Sequence, residues 1–342
     1  MRKVLITGIT GQVGSQMADF LLNDKKDVIV YGLMRWQEPI DNLYQLTDRI
    51  NKKDRIFIKY GDLNDLSSLI KVLEEIKPDM IFHLAAQSFP RTSFDIPIET
   101  LETNIIGTTK LLEAVRISGN IKKDPVIHIC SSSEVYGKSK DKSVFDETSI
   151  LHGASPYSIS KIGTDFIGQF YAEAYNYRIF ITRMGTHSGP RRSDVFFEST
   201  VAKQIALIEF GLQEPKLHLG NLDSVRTFQD ARDAIKAYWL LAEALEEKKI
   251  KTGEVFNIAG EEIFNLSEIV KILCDYSNVD NIEVVTDPER LRPLDADYQM
   301  FSCDKLKNTI KWKPEISVRQ MLADLLDHWR NEIKTNRIPL NR

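Results

Sequence analysis

The first half of the chain alternates short, continuously apolar runs with segments of helical spacing. The runs that predict strands are "KVLITG", "DVIVYGL", "RIFIKYGDL", "DMIFHLA" and "PVIHICSSS". Continuous apolar character is typical of parallel strands that are covered on both faces. The segments that predict helices are "GSQMADFLLND", "DLSSLIKVLEEIKP" and "ETNIIGTTKLLEAVRISG". Repeated βα units predict an α/β fold with a Rossmann-type, doubly wound parallel sheet.

The pattern becomes less regular after about residue 185. Loops and helices follow, and "GEVFNIAG", residues 253–260, predicts a strand that rejoins the main sheet. We therefore expect a dinucleotide-binding domain over residues 1–185. Residues 186–342 are expected to form mainly a smaller α/β domain that binds the substrate. Clefts between such parts are common ligand sites.

Composition narrows the possible classes of protein. The chain has 342 residues, 42% of them hydrophobic and 27% charged, with a net charge of -4. This charge does not favour nucleic acid or an anionic membrane as a partner. No apolar run approaches the roughly 18 to 20 residues of a membrane span. The N-terminus enters a strand pattern directly, without the features of a signal peptide. The expected location is therefore the cytoplasm. The spacing of the three cysteines is that of neither a disulfide framework nor a metal site.

A glycine-rich turn follows the first predicted strand and opens the first predicted helix. It reads "TGITGQVG", with glycines at Gly8, Gly11 and Gly14. Such a turn allows backbone N–H groups and a helix N-terminus to meet a pyrophosphate. A glycine triplet alone is weak, because ordinary turns also use glycine, but its position in the first βα unit favours a dinucleotide. The other contacts expected from this turn come from Thr10, Gln12 and Val13.

The end of the second predicted strand bears on the choice between NAD and NADP. It reads "YGLMRWQ", in which no acid is present, and Arg35 stands where NAD-binding proteins usually have an acid. An arginine suits a 2′-phosphate, so NADP is predicted. The alternative is a solvated surface arginine. Asp62, in "YGDL" after the third strand, is expected either to bind the adenine edge or to make a local turn.

Two further segments carry chemical groups. Tyr157 and Lys161 have the spacing YxxxK, which places them on one face of a helix. An ammonium favours a phenolate, so we expect Lys161 to lower the pKa of Tyr157 from about 10 toward neutrality. Tyr157 would then act as a general base. The second segment, "SSSEVYG", places Glu134 just after a strand that ends in three serines.

Together these segments resemble the extended short-chain dehydrogenase/reductase family along the whole chain. The nearest likeness is to the GDP-mannose 4,6-dehydratases. The matching pieces are "TGITGQVGS", "YGDLND", "HLAAQS", "SSSEVYG", "SPYSISK", "GPRRSDVF", "LHLGNLDSVRTF" and "DPERLRPLDAD". The resemblance implies a GDP-sugar substrate and a tightly bound NADP that is recycled. It also implies a homo-oligomer, either a dimer or a tetramer.

The resemblance assigns catalytic roles to Ser132, Glu134, Tyr157 and Lys161. Ser132 would hydrogen-bond the sugar 4-hydroxyl beside Tyr157 while hydride moves from C4 to NADP. Glu134 would remove the C5 proton and help to expel the C6 hydroxyl as water, before hydride returns to C6. The product is a 4-keto-6-deoxy sugar. The alternative for Glu134 is a solvated loop carboxylate, the commonest situation of a glutamate.

The resemblance also implies the remaining binding residues. Arg226 and Arg292 would hold the nucleotide diphosphate, as guanidinium groups bind phosphate well, and Asp295 would contact the nucleoside. Further cofactor contacts are expected from Leu63, Leu84, Ala85, Ala86, His187 and Arg192. Further substrate contacts are expected from Ser88, Ser133, Thr186, Lys203, Leu219 and Gly220. A lone histidine such as His187 is often structural, and that alternative stays open.

Some positions depart from the family pattern and leave other functions open. The segment "QSFPRTSF", with Pro90 and Arg91, differs from the usual wall of the sugar pocket. A GDP-manno-heptose is therefore a candidate substrate beside GDP-mannose. A GDP-4-keto-6-deoxymannose reductase and a GDP-sugar epimerase are the alternative enzymes, although neither needs Glu134. A nucleotide-sugar-binding protein on the same fold is the alternative that is not an enzyme.

Overall fold

The computed structural model describes residues 1–118, 125–139, 141–290 and 298–336. Its strands are β1 (Arg2–Thr7), β2 (Val28–Met34), β3 (Ile56–Tyr60), β4 (Met80–His83), β5 (Val126–Cys130), β6 (Ile179–Met184), β7 (His187–Ser188), β8 (Lys216–Leu219), β9 (Val225–Thr227), β10 (Gln229–Asp230), β11 (Glu254–Ile258), β12 (Ile263–Asn265), β13 (Glu283–Thr286) and β14 (Tyr298–Gln299).

Helices connect and cover these strands. The α-helices are α1 (Gln12–Asp24), α2 (Thr47–Lys52), α3 (Leu66–Ile76), α4 (Thr92–Asp95), α5 (Pro97–Leu101), α6 (Gly107–Ile117), α7 (Pro156–Tyr175), α8 (Phe197–Glu209), α9 (Ala231–Glu246), α10 (Leu266–Asp275), α11 (Asp304–Ile310) and α12 (Val318–Lys334). The 3₁₀ turns are Asp41–Leu46, Ser133–Tyr136 and Pro288–Arg290, and Glu102–Ile106 is a π-helical segment.

A parallel sheet of seven described strands forms the centre of the molecule. Its order is β11-β6-β5-β4-β1-β2-β3, and every pairing in it is parallel. The chain runs outward from β1 to β3 and then returns to β4 on the other side of β1. This reversal creates the switch point beyond the carboxyl ends of β1 and β4, where doubly wound sheets bind ligands. The predicted Rossmann-type α/β fold is confirmed.

The sheet has a separate apolar core on each face because successive strand residues point to opposite sides. In β1, Val4 and Ile6 pack with α1 and α9, whereas Leu5 belongs to the core under α3, α6 and α7. All three side chains are essentially inaccessible. The continuous apolar runs of the sequence therefore follow from burial on both faces.

A smaller layer from the second half of the chain lies over one end of the sheet. Helices α8, α10 and α12 share a third apolar core with β8, and β8 pairs in parallel with β13. Strands β12, β9 and β14 make another small sheet. However, β11 pairs with β6 in the main sheet, and α9 packs on its face. Residues after 185 therefore contribute to both layers.

Candidate active site

A cavity of about 920 Å³ lies beyond the carboxyl ends of the main strands. Most residues proposed from the sequence line it. They are Gly8, Thr10, Gly11, Gln12, Val13, Gly14, Arg35, Asp62, Leu63, Leu84, Ala85, Ala86, Ser88, Ser132, Ser133, Glu134, Tyr157, Lys161, Thr186, His187, Arg192, Leu219, Gly220 and Arg226. Parallel strands bring these distant segments together, because their carboxyl ends share one edge of the sheet.

The glycine-rich turn has the shape that a dinucleotide requires. Gly8 has φ +70, a conformation that favours glycine, and a Cβ there would lie 2.8 Å from Ala85. A Cβ on Gly14 would lie 2.1 Å from the carbonyl oxygen of Gly8, so only glycine lets α1 begin this close to the turn. The N-cap Gly11 has no side-chain cap, and the first turn of α1 carries no acid. The turn therefore fits a pyrophosphate at a helix N-terminus.

The end of β2 holds an acid that the sequence analysis missed. Glu38 lines the cavity, and its carboxylate accepts hydrogen bonds from Thr10 Oγ1 at 2.8 Å and the Arg35 backbone N–H at 3.0 Å. The expectation that this strand end lacks an acid is therefore wrong. The acid lies three residues beyond the usual position, and a turn closed by Glu38 N–H and Arg35 O returns it to the strand end.

Asp62 lies at the border of the cavity and also makes a local turn. Its Oδ1 accepts the backbone N–H of Asn64 at 2.8 Å, and its own N–H donates to Ser68 Oγ at 3.1 Å. Both interpretations from the sequence are thus compatible with its position, since the local turn still leaves Asp62 and Leu63 facing the cavity.

The segment "SSSEVYG" forms a short 3₁₀ turn that presents Glu134 to the cavity. Ser132 is extended and caps this turn, with its Oγ accepting the Glu134 N–H at 3.2 Å. Ser131 turns the other way, and its Oγ donates to the carbonyl oxygen of Lys161 at 3.2 Å. Ser131 thus links the end of β5 to α7, and Ser132 stabilises the 3₁₀ turn. Glu134 also pairs with Arg226, Oε1 to Nη1, at 3.5 Å.

Tyr157 lies in the first turn of α7, which starts with a Ser155 capping box and Pro156 at its first position. Burial is the largest influence on Tyr157 and raises its pKa, whereas a hydrogen bond with Ser132 lowers it. Lys161 Nζ donates to the carbonyl oxygen of Cys130 at 2.8 Å and lies 6.0 Å from the centre of the Tyr157 ring.

The expectation that Lys161 lowers the pKa of Tyr157 is therefore wrong for this structure. The ammonium is held by the end of β5, and burial of the phenol has the larger effect. Burial also lowers the pKa of Lys161 itself, because a low-dielectric environment disfavours its charged form.

His187 and Arg192 line the cavity near Tyr157. Burial, with a contribution from Arg192, lowers the pKa of His187 to about 3, so its ring is neutral. Its Nδ1 lies 3.1 Å from the carbonyl oxygen of Gly185. The Arg192 guanidinium lies 3.4 Å over the Phe196 ring, and its Nε is 3.4 Å from Glu198. Arg192 is thus a partly buried cation that lies beside Glu198 and lines the same cavity.

The cavity continues past Glu134 to the small layer. Leu219 and Gly220 at the end of β8 line this part together with Arg226. Arg226 donates to Gln299 Oε1 at 3.0 Å. Arg290 also lines the cavity and was missed in the sequence, although it belongs to the segment "DPER" that carried the resemblance. The predicted contacts Arg292 and Asp295 lie outside the described residues.

Lys203 does not line the large cavity. Its Nζ pairs with Asp194 at 2.7 Å and lies 5.5 Å from the centre of the Trp329 ring. It borders a smaller neighbouring cavity of about 190 Å³. The predicted contact of Lys203 with substrate is not supported by this placement, since α8 turns the side chain toward α12.

The segment that departs from the family pattern forms one wall of the cavity. Phe89, Pro90 and Arg91 all line it. Phe89 meets Phe196 edge to face with ring centres 5.5 Å apart, and Arg91 pairs with Asp95 at 2.9 Å. This wall, with one aromatic ring and one proline, thus packs against Phe196 at the start of α8.

Two classes of site are not found among the described residues. No group of histidine, cysteine, aspartate or glutamate there is arranged to hold a metal ion. Within the same residues, no helix has the length and apolar character needed to cross a membrane.

Solved structures with the same architecture identify the class of fold. "RMD from Pseudomonas aeruginosa complexed with NADPH" has a TM-score of 0.79 and 26% identity, covering 97% of this chain and 100% of that chain. "DesIV (dTDP-glucose 4,6-dehydratase) from Streptomyces venezuelae with NAD and TYD bound" has a TM-score of 0.81 and 25% identity, covering 99% and 100%. The fold is that of the extended short-chain dehydrogenases/reductases, which confirms the resemblance.

Sequence comparison identifies the family to which the chain belongs within this class. The family model described as GDP-mannose 4,6 dehydratase matches residues 5–325. The GDP-mannose 4,6-dehydratase of Yersinia enterocolitica is 33% identical, over 95% of this chain and 93% of the relative. The chain therefore belongs to the GDP-mannose 4,6-dehydratase family.

Proposed function

We propose that the protein is a GDP-sugar 4,6-dehydratase that uses a nicotinamide dinucleotide. The observation that carries this proposal is that Ser132, Glu134 and Tyr157 line one cavity beside the glycine-rich turn. A hydroxyl, a carboxylate and a phenol are the three groups that oxidation at C4 and elimination across C5 and C6 require. Membership of the family supports the same reaction.

The chain's residues have separate tasks in this proposal. Tyr157 takes the proton of the sugar 4-hydroxyl, and Ser132, whose hydroxyl lowers the pKa of Tyr157, orients the sugar hydroxyl. Glu134 takes the C5 proton, which a neighbouring 4-ketone makes acidic, and assists departure of the C6 hydroxyl as water. When bound, oxidised nicotinamide supplies a positive charge that favours the phenolate, accepts hydride and later returns it.

Arg226 links the proposed base to the nucleotide end of the cavity. It lies 3.5 Å from Glu134 and lines the wall with Leu219 and Gly220. A guanidinium in this position can hold a diphosphate. We propose that Arg226, with Arg290, binds the GDP diphosphate, and that Arg292 and Asp295 bind the nucleotide as the family resemblance implies.

The choice between NADP and NAD depends on the end of β2. The prediction of NADP was based on Arg35 and on the absence of an acid. One structural neighbour is described with NADPH and another with NAD, so the fold accommodates both. Glu38 weighs against the NADP prediction.

The sugar is proposed to be mannose or a manno-heptose. Pro90 and Arg91, which depart from the family pattern, line the cavity, and this supports a sugar different from mannose at C6. GDP-D-glycero-D-manno-heptose is therefore the second substrate to test. Glu134, which lines the same cavity, weighs against the alternatives, because a reductase or an epimerase would not need it.

One experiment tests the reaction and its base. Purified protein is incubated with GDP-mannose or GDP-manno-heptose, without reduced cofactor, and the product is followed by mass spectrometry. We expect loss of one water from at least one sugar. Glu134→Gln is expected to lower the dehydration rate by roughly 10² to 10⁴-fold.

Glu173→Gln, on the exposed side of α7, is the matched control and should retain the rate. If the wild-type protein leaves both masses unchanged, the dehydratase proposal fails and assays with NADPH and a 4-keto-6-deoxy sugar test the reductase alternative. If GDP-sugar raises the melting temperature without any turnover, the protein is a binding protein.

We also propose that the protein acts in the cytoplasm as a homo-oligomer. Its three cysteines are free, as suits a reducing compartment.

The oligomer is proposed from large apolar side chains that are exposed on neighbouring helical segments. They are Ile98, Ile106, Phe166 and Phe170, with Phe166 55% exposed. We infer that a second copy of the chain covers this face. Light scattering of the purified protein tests the inference, and a monomer would contradict it.

A further inference from the structure

The loop after β2 folds back onto the glycine-rich turn. Asn42 Nδ2 donates to the carbonyl oxygen of Thr10 at 3.0 Å, and Leu43 and Leu46 are buried in the core beside α1. Thr10 in turn donates its hydroxyl to Glu38. The Glu38 carboxylate is thus held through one oxygen by Thr10 and through the other by the Arg35 backbone N–H. The Glu38 side chain is 21% exposed.

Glu38 lies where a Rossmann-type fold receives the adenosine ribose. That ribose lies between the first βα turn and the end of the second strand. Glu38 touches both, since one oxygen accepts from Thr10 and the other from the Arg35 backbone N–H. Each carboxylate oxygen has a second lone pair that can accept a ribose hydroxyl.

The arginine at the same place is held less firmly. The Arg35 side chain is 62% exposed, and its Nε lies 3.7 Å from Glu38. Its charge is therefore offset by Glu38 as well as screened by solvent. Arg191, which also lines this region, is paired with Asp19 and Gln45. The cations near this strand end thus each have an acidic partner.

We propose that Glu38 makes this protein select NAD over NADP, by accepting the ribose 2′-hydroxyl and repelling a 2′-phosphate. The inference rests on the dinucleotide site of the proposed function and not on the identity of the sugar. It replaces the NADP prediction, because that prediction assumed that no carboxylate was present at the end of β2.

Binding measured directly tests this selection without reliance on turnover. The full-length protein is freed of bound nucleotide and titrated with NAD⁺ and NADP⁺ by calorimetry. We expect NAD⁺ to bind about tenfold more tightly or better. The preference should decrease only in part as salt is added, since salt screens a partly buried charge less than an exposed one. The nucleotide released from untreated protein by denaturation should be NAD.

Two variants distinguish the effect of the Glu38 charge from that of other charges in the same loop. Glu38→Gln keeps the shape and an acceptor for Thr10 but removes the charge, so it should reduce the preference several-fold by strengthening NADP⁺ binding. Asp41→Asn removes one charge from an exposed position in the same loop and is the matched control. It should keep the wild-type preference.

Three outcomes contradict the inference in different ways. Equal affinity of the wild-type protein for the two dinucleotides would overturn the role of Glu38. Tighter binding of NADP⁺, lost in Arg35→Gln, would overturn it in favour of the arginine. If neither dinucleotide binds, the proposed dinucleotide site itself fails, which is distinguishable from a wrong preference.

Discussion

At the scale of single residues, the environment of Tyr157 sets the pKa of the phenol that is proposed to act as the base. Burial raises the pKa of Tyr157, and the hydrogen bond from Ser132 opposes that effect. In the proposed reaction the Ser132 hydroxyl therefore has a second task besides orienting the sugar. It favours the charged form of the phenol in a place where burial disfavours it.

Ser132→Ala should consequently lower turnover and move its pH dependence. Without the hydroxyl the pKa of Tyr157 rises, so the rising limb of the pH–rate profile should shift to higher pH. We expect kcat at neutral pH to fall by about 10²-fold. Ser132→Thr retains a hydroxyl and should keep the wild-type profile. An alanine variant with reduced kcat but an unchanged profile would show that the serine only orients the substrate.

At the scale of structural elements, a buried ionic network holds in place the 3₁₀ turn that carries Glu134. Arg183 in β6 donates to Asp165 in α7 at 2.8 Å and to the Tyr136 hydroxyl at 3.0 Å. The Tyr136 hydroxyl donates to Asn257 in β11 at 2.7 Å. Tyr136 ends the 3₁₀ turn that carries Glu134. The turn is thus tied to a helix and to two strands of the main sheet.

Asp165→Ala should destabilise the protein strongly. The Asp165 side chain is inaccessible and that of Arg183 is 5% exposed, so the substitution leaves a buried guanidinium without its partner. We expect the free energy of unfolding in urea to fall by about 3–5 kcal/mol. Glu173→Ala, on the exposed side of the same helix, should change it by less than about 0.5 kcal/mol. Equal effects of the two variants would contradict a structural role for the network.

Several elements could be predicted from sequence because their signals are local. Continuous apolar runs indicate parallel strands, and Pro156 with Ser155 marks the start of α7. Glu38 was missed because its place depends on a turn closed by Arg35. Lys203 was misplaced because the direction of its side chain depends on the packing of α8 against α12. The pKa of Tyr157 depends on burial, which spacing alone does not reveal.

At the scale of the whole molecule, stability should depend on pH through buried histidines. His83 and His128 are buried in the main sheet, and burial lowers the pKa of His83 to about 3 and that of His128 well below its usual value. Unfolded histidine has a pKa of about 6.5. Unfolding therefore takes up protons below that value, and the stabilising contribution of the neutral rings is complete above it.

The free energy of unfolding should thus decrease as pH falls from 6.5 toward the folded-state values. Each such histidine contributes a slope of up to about 1.4 kcal/mol per pH unit. Urea unfolding between pH 5 and 7 measures the slope, and His83→Gln should reduce it. His152→Gln, at an exposed position, is the control. A flat dependence in the wild-type protein would contradict this prediction.

The late return of the chain to the main sheet affects the order of events during biosynthesis. Strand β11 and helix α9 complete one edge and one face of that sheet, although they follow β6 by some 50 to 75 residues in sequence. At ribosomal rates of roughly 5–20 residues per second, on the order of ten seconds pass between the synthesis of β6 and that of β11. During this time the sheet is incomplete. Chaperone binding is expected to concentrate in this interval, and a fragment that stops at residue 185 should aggregate.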